Sequence, residues 1–148
     1  MGENYGRSFA AKLIEDERFE EALVAGTEAE QRDRLDPEPI LDRARALLAL
    51  ERWTDAVDEV ERAMKLDEEA GGILETDLVD DTVFQALLGE ARMVASSDLS
   101  RALAQLTRYG KVMPSGRHLA DVQTWSGRLR GEGKNDVIVK DFEGTKIS

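Results

Sequence analysis

Apolar residues recur at helical rather than strand spacing along most of the chain. Ala44, Leu47, Leu48 and Leu50 predict one helix, interrupted at Glu51-Arg52, and Ala56, Val57, Val60, Ala63, Met64 and Leu66 predict a second. Two amphipathic helices joined by so short a break predict an antiparallel hairpin. Ala44 and Ala56 are small enough for the two helices to approach closely, and Trp53 opens the second helix as a space-filler between neighbours. Downstream, Glu75–Asp81 reads as an acidic insertion and Thr82–Ala95 as a helix. Ser96-Ser97-Asp98 follows as turn and cap, and Leu99–Val112 as the partner helix, with Ala102, Leu106 and Tyr109 inward. Beyond Pro114, Ser115 is read as the N-cap of a seventh helix reaching Arg130. Leu119, Val122, Trp125 and Leu129 form its stripe, with Arg117, Asp121 and Arg128 off that face. Asp136–Phe142 is the one β-like run, alternating and β-branched. The expected organisation is a helical domain over 1–131 and a tail over 132–148 that is either flexible or a docked extended segment.

The hairpin is repeated. Glu51-Arg-Trp-Thr-Asp-Ala-Val57 has a counterpart in Glu17-Arg-Phe-Glu-Glu-Ala-Leu23, an offset of 34 residues. The same offset pairs Ala10 with Ala44, Leu13 with Leu47, Phe19 with Trp53, Ala22 with Ala56 and Ala29 with Ala63. A fixed shift that preserves both small and large apolar positions predicts units that bury their faces by stacking. Gly26 lies inside the second helix of the first unit, where it costs about 1 kcal/mol relative to Ala. The helix there is therefore expected to be frayed or closely approached by a neighbour.

Residues 37–70 resemble a tetratricopeptide repeat, with Ile40, Ala44, Trp53, Ala56 and Ala63 in the large, small, aromatic and two alanine positions of that family. Glu68 stands where the family has a proline. Residues 3–36 are a weaker copy, with Gly6 at the large first position. Residues 82–114 are a degenerate third copy, displaced by about one residue in its first helix, with Pro114 at the terminal proline position. The resemblance implies an all-α fold of about three antiparallel hairpins in a short right-handed solenoid, closed by a C-terminal capping helix. It also implies a concave groove for a peptide or partner helix. Carried over residue by residue, the groove positions are Asn4, Arg7, Ala11, Ile14, Glu38, Leu41, Arg45 and Leu48. Two arginines there would anchor acidic groups beside apolar Ile14, Leu41 and Leu48. The carboxylate clamp of chaperone-binding family members is missing, since Arg7, Ala11 and Asp42 occupy the matching places.

Charge narrows the partner. The 148 residues carry 20 basic and 31 acidic side chains, a formal net charge of −11, which disfavours phosphate backbones and anionic lipid. Residues 1–98 hold 11 basic and 26 acidic groups, and residues 99–148 hold 9 and 5, so a basic C-terminal surface could face an acidic partner. With no cysteine and one histidine, thiolate and most imidazole chemistry is excluded. The N-terminus lacks the pattern of a signal peptide, and Gly6 replaces the Ser or Thr of a myristoylation start. A cytoplasmic protein is expected.

Ser115, His118 and Asp121 contain the groups of a hydrolytic triad, but their spacing along one helix places them on successive turns; Ser115 reads better as a cap and His118 as a surface residue. Gly131-Glu-Gly-Lys134 lacks the remainder of a phosphate-binding loop, and Asp77, Asp80 and Asp81 lack calcium-loop spacing. The expected function is a non-catalytic adaptor or scaffold for a protein or peptide partner, without metal or cofactor. Self-association through the C-terminal tail is a further expectation. The alternatives are a bacterial secretion chaperone holding an exported client and an accessory subunit of an enzyme complex.

Overall fold

The computed structural model describes residues 8–132 and 136–144. Among these residues it is all-α, with eight helices and no strand: α1 (Phe9–Glu15), α2 (Phe19–Arg32), α3 (Glu38–Ala49), α4 (Trp53–Ala70), α5 (Thr76–Val94), α6 (Leu99–Val112), α7 (Leu119–Glu132) and α8 (Asp136–Gly144). The chain divides into two compact units, Met1–Thr82 and Val83–Ser148, the division falling within α5.

In the first unit α1 packs on α2 and α3, and α3 packs on α2 and α4. The 34-residue register reappears in the backbone. Glu17 and Glu51 have φ of 59° and 58°, and among the described residues no other non-glycine residue is left-handed. Arg18 N–H donates to the Leu13 carbonyl at 2.8 Å, and Arg52 N–H to that of Leu47 at 2.9 Å. Arg18 then bridges to Glu21, and Arg52 to Asp55, at the start of each second helix. Ala22 and Ala56, 34 residues apart, are both fully buried.

Gly26 is not a frayed position; it is buried under a neighbour. A Cβ built there would lie 2.5 Å from Arg43 Cγ and 3.1 Å from the Pro39 carbonyl oxygen, so the absent side chain lets α3 lie against α2. Arg43 crosses this contact into a charge network, 3.7 Å from Glu30 and, through Nε, 3.9 Å from Glu59. That Nε is buried without a hydrogen bond, so its attraction to Glu59 is Coulombic only. Arg62 completes the network, donating to Glu30 at 2.6 and 3.0 Å and to Glu59 at 3.1 Å. These bonds hold the Glu30 carboxyl below its usual range and raise the Arg62 guanidinium.

The link to α5 differs from the expected acidic insertion. Gly71 and Gly72, at φ of 89° and 78°, close α4 with bonds from their N–H groups to the Glu68 and Asp67 carbonyls, the pattern of a Schellman end. The Asp67 carboxylate then accepts from Ile73 N–H at 2.8 Å and Leu74 N–H at 3.0 Å. With the chain turned so quickly, α5 begins at Thr76, and most of the acidic stretch rides on its first turns, where the helix dipole favours it.

In the second unit, the 95–98 turn contains one residue more than the 16–18 and 50–52 turns of the first. Asp98 closes it by accepting from Arg101 N–H at 3.0 Å. Ala102, Leu106 and Tyr109 are buried as expected. Ser115 does not cap α7, which begins at Leu119. The His118 N–H instead donates to the Tyr109 hydroxyl at 3.0 Å, and a side chain on Gly116 would fall on that hydroxyl. Nor is His118 a simple surface residue: its ring stacks on Phe84 at 4.0 Å and 6°. Arg128, expected off the apolar face, lies 4.4 Å over the Trp125 ring.

The segment from Asp136 is a helix, not an extended strand. Val139 and Phe142 are buried while Val137 is 70% exposed; strand alternation would put both valines on one face, whereas helical spacing joins 139 to 142. The α8 helix packs on α7, with Phe142 5.3 Å from Trp125. Arg92 Nε donates to the Phe142 carbonyl at 3.0 Å, and Ser96 Oγ to Glu143 at 3.0 Å.

Two outcomes follow from this packing. Gly26→Ala should lower stability by about 1–3 kcal/mol in urea titration, although helix propensity alone favours Ala by about 1 kcal/mol. The loss should shrink in an Arg43→Ala background; a stabilised single variant would show that α2 and α3 do not meet there. Phe142→Ala should cost about 3–5 kcal/mol and release amide protection across 136–144 in hydrogen exchange, an effect absent if α8 is docked by its charges alone.

Candidate functional site

The first unit holds a cleft of about 250 Å³ lined by Ser8 and residues of α1, α3 and the start of α5. The first helix of each hairpin reaches it at helical spacing: Ala11 and Glu15 from α1, and Glu38, Leu41, Asp42 and Arg45 from α3. Leu74, Glu75 and Leu78 form the third wall, with Leu74 held in place by the hydrogen bonds of its own and the preceding N–H to Asp67.

Of the expected groove residues, Ala11, Glu38, Leu41 and Arg45 come together here. Ile14 does not; it packs against the cluster of Ala10, Leu13, Ala22, Ala25 and Ala46. Leu48 is half-buried outside the cleft lining. Asn4 and Arg7 lie outside the described residues. The third wall was missed because the stretch containing Glu75 and Leu78 reads as an insertion until the Asp67 turn is known.

Ser8 and Asp42, one repeat apart, tie α1 to α3. Ser8 Oγ accepts from Ala11 N–H at 2.9 Å as the N-cap of α1 and donates to Asp42 Oδ2 at 2.6 Å. Arg45 is not a spare anchor for acids: its Nη1 lies 3.5 Å from Asp42 Oδ1 on the same helix. Among the described residues the lining contains Glu15, Glu38, Asp42 and Glu75 with Arg45; Arg7, the other expected anchor, lies outside the described residues. Burial raises the Asp42 carboxyl above the ordinary range, outweighing the Ser8 hydrogen bond and the Arg45 charge. Burial, with Asp36 and Asp42 nearby, raises Glu38 as well.

Among the described residues no group of three or more His, Asp or Glu side chains is arranged to hold a metal ion, and no helix is long and apolar enough to cross a membrane. No protein-family model, curated protein or solved structure matches the chain.

The raised Asp42 sets a pH response. Its ionised form costs stability above the raised pKa, and that cost vanishes as pH falls through it. Asp42→Asn removes the cost and keeps an acceptor for Ser8. The Tm difference, variant minus wild type, should therefore fall as pH is lowered from about 7 through the carboxylate range. Parallel Tm profiles would mean that Asp42 ionises in the fold as it does in the unfolded chain.

Proposed function

We propose that this chain is a non-catalytic interaction module of the tetratricopeptide-repeat type, an adaptor or scaffold that takes a peptide or partner helix in the cleft between α1, α3 and the start of α5. The observation that carries this reading is the recurrence, 34 residues apart, of a left-handed glutamate, the same turn hydrogen bonds and the same buried alanines. Repeated hairpins of this kind bury their sides against one another and leave the faces of their first helices to build a continuous surface. The cleft fits that use. Its volume is below the roughly 300–1,000 Å³ of pockets that enclose drug-sized ligands, and Leu41, Leu74 and Leu78 give it an apolar floor suited to one or two anchoring side chains.

Leu78 is half-exposed in this lining, so Leu78→Trp fills the cleft without changing charge. Affinity purification of the tagged protein from its native host, read by mass spectrometry, should lose the partner with Leu78→Trp. The exposed α4 substitution Asp58→Lys should retain it, both variants keeping the wild-type helical circular dichroism. Identical partner sets for the two variants would move binding away from the cleft.

A further inference from the structure

The cleft has a chemical polarity that selects its occupant. Its floor is apolar, from Ala11, Leu41, Leu74 and Leu78, and its sides carry Glu15, Glu38, Asp42 and Glu75. Among the described lining residues the one cation, Arg45, already faces Asp42 at 3.5 Å, so it does not compensate the charges of Glu38 and Glu75. The surrounding field has the same sign, since residues 1–82 hold 10 basic and 24 acidic side chains. An incoming basic group meets attraction at long range and at contact, while an acidic one is repelled at both.

The carboxylates do not converge on a point. Among the described residues no three acidic or imidazole groups are arranged for a metal ion, so the charge is spread along the walls of a groove. A groove with leucines below and separated carboxylates beside them is complementary to a chain segment that alternates apolar anchors with lysine or arginine. We propose, resting on the reading of the cleft as a peptide groove, that its partner segment is basic and amphipathic, its apolar side chains seated on Leu41, Leu74 and Leu78 and its cationic groups beside Glu38 and Glu75. The desolvation that raises Glu38 and Asp42 would be offset by such a partner.

Fluorescence anisotropy tests this with two labelled amphipathic helical peptides, one of Leu, Ala and Lys, the other with Glu for every Lys. The Lys peptide should bind at least about tenfold more tightly, with affinity falling as salt is raised. Glu38→Gln with Glu75→Gln should weaken it about tenfold, whereas Glu20→Gln with Glu28→Gln, two exposed positions on α2, removes equal charge and should change it less than about twofold. Equal affinity for both peptides, preference for the Glu peptide, or equal losses from the two variant pairs would overturn the proposal. Leu78→Trp separates the levels. If it abolishes binding of both peptides without any charge preference in the wild type, the groove stands and its basic selectivity falls; if it changes neither, the groove reading falls as well.

Discussion

Everything in residues 8–82 depends on how tightly each hairpin is closed. Three residues join α1 to α2 and α3 to α4, a length that returns the chain only if one of them adopts a left-handed conformation, and Glu17 and Glu51 accept that strain. A non-glycine residue in this region is held at a cost of order 1–3 kcal/mol, which the backbone bonds from Arg18 and Arg52 help to offset. So short a turn brings the paired helices close, and Ala22 and Ala56 are fully buried in the second helix of each hairpin. The third turn, closed by the Asp98 side chain, has an extra residue and no such strain.

The cleft inherits its character from α3. That helix is buried on most sides, with Ile40, Ala44 and Leu47 in the core and Arg43 drawn across Gly26 into the network with Glu30 and Glu59. What remains, Glu38, Leu41, Asp42 and Arg45, is one face only, and it is the face that lines the cleft. The two sides of α3 are thus electrostatically unlike. Two carboxylates answer two arginines in the network, while among the described residues of the cleft carboxylates outnumber arginine.

Helix positions, the hairpin pairing and four of the cleft's described lining residues, Ala11, Glu38, Leu41 and Arg45, were legible in the sequence because they rest on local periodicity and on one repeated offset. What was not legible depends on contacts distant in sequence or on polar groups acting outside their usual roles. Val137, Val139 and Phe142 suit a strand by type, and only burial against Trp125 decides for a helix. Ser115 is a good cap by residue type, yet the Tyr109 hydroxyl, from the preceding helix, takes the N–H of His118 instead. Asp67 looks like one of many solvated acids, and its capture of two backbone N–H groups is what brings Leu74 and Glu75 to the site. The pairing of Arg45 with Asp42 at i−3 was not legible either, because it depends on Asp42 being buried beside it.

Hairpins of like build in one chain carry an assembly hazard, since units that look alike can pair in the wrong order or exchange between molecules. The register places Gly26 of α2 opposite Val60 of α4, and the two residues are not equivalent as docking surfaces. α2 offers a notch into which Arg43 and the Pro39 carbonyl fit, whereas the corresponding spot on α4 is filled by a buried valine. A single departure from the repeat therefore works as an address: α3 packs against both helices, but only α2 has the notch that receives Arg43 and the Pro39 carbonyl, which makes the order of the hairpins a property of the folded chain as well as of its sequence.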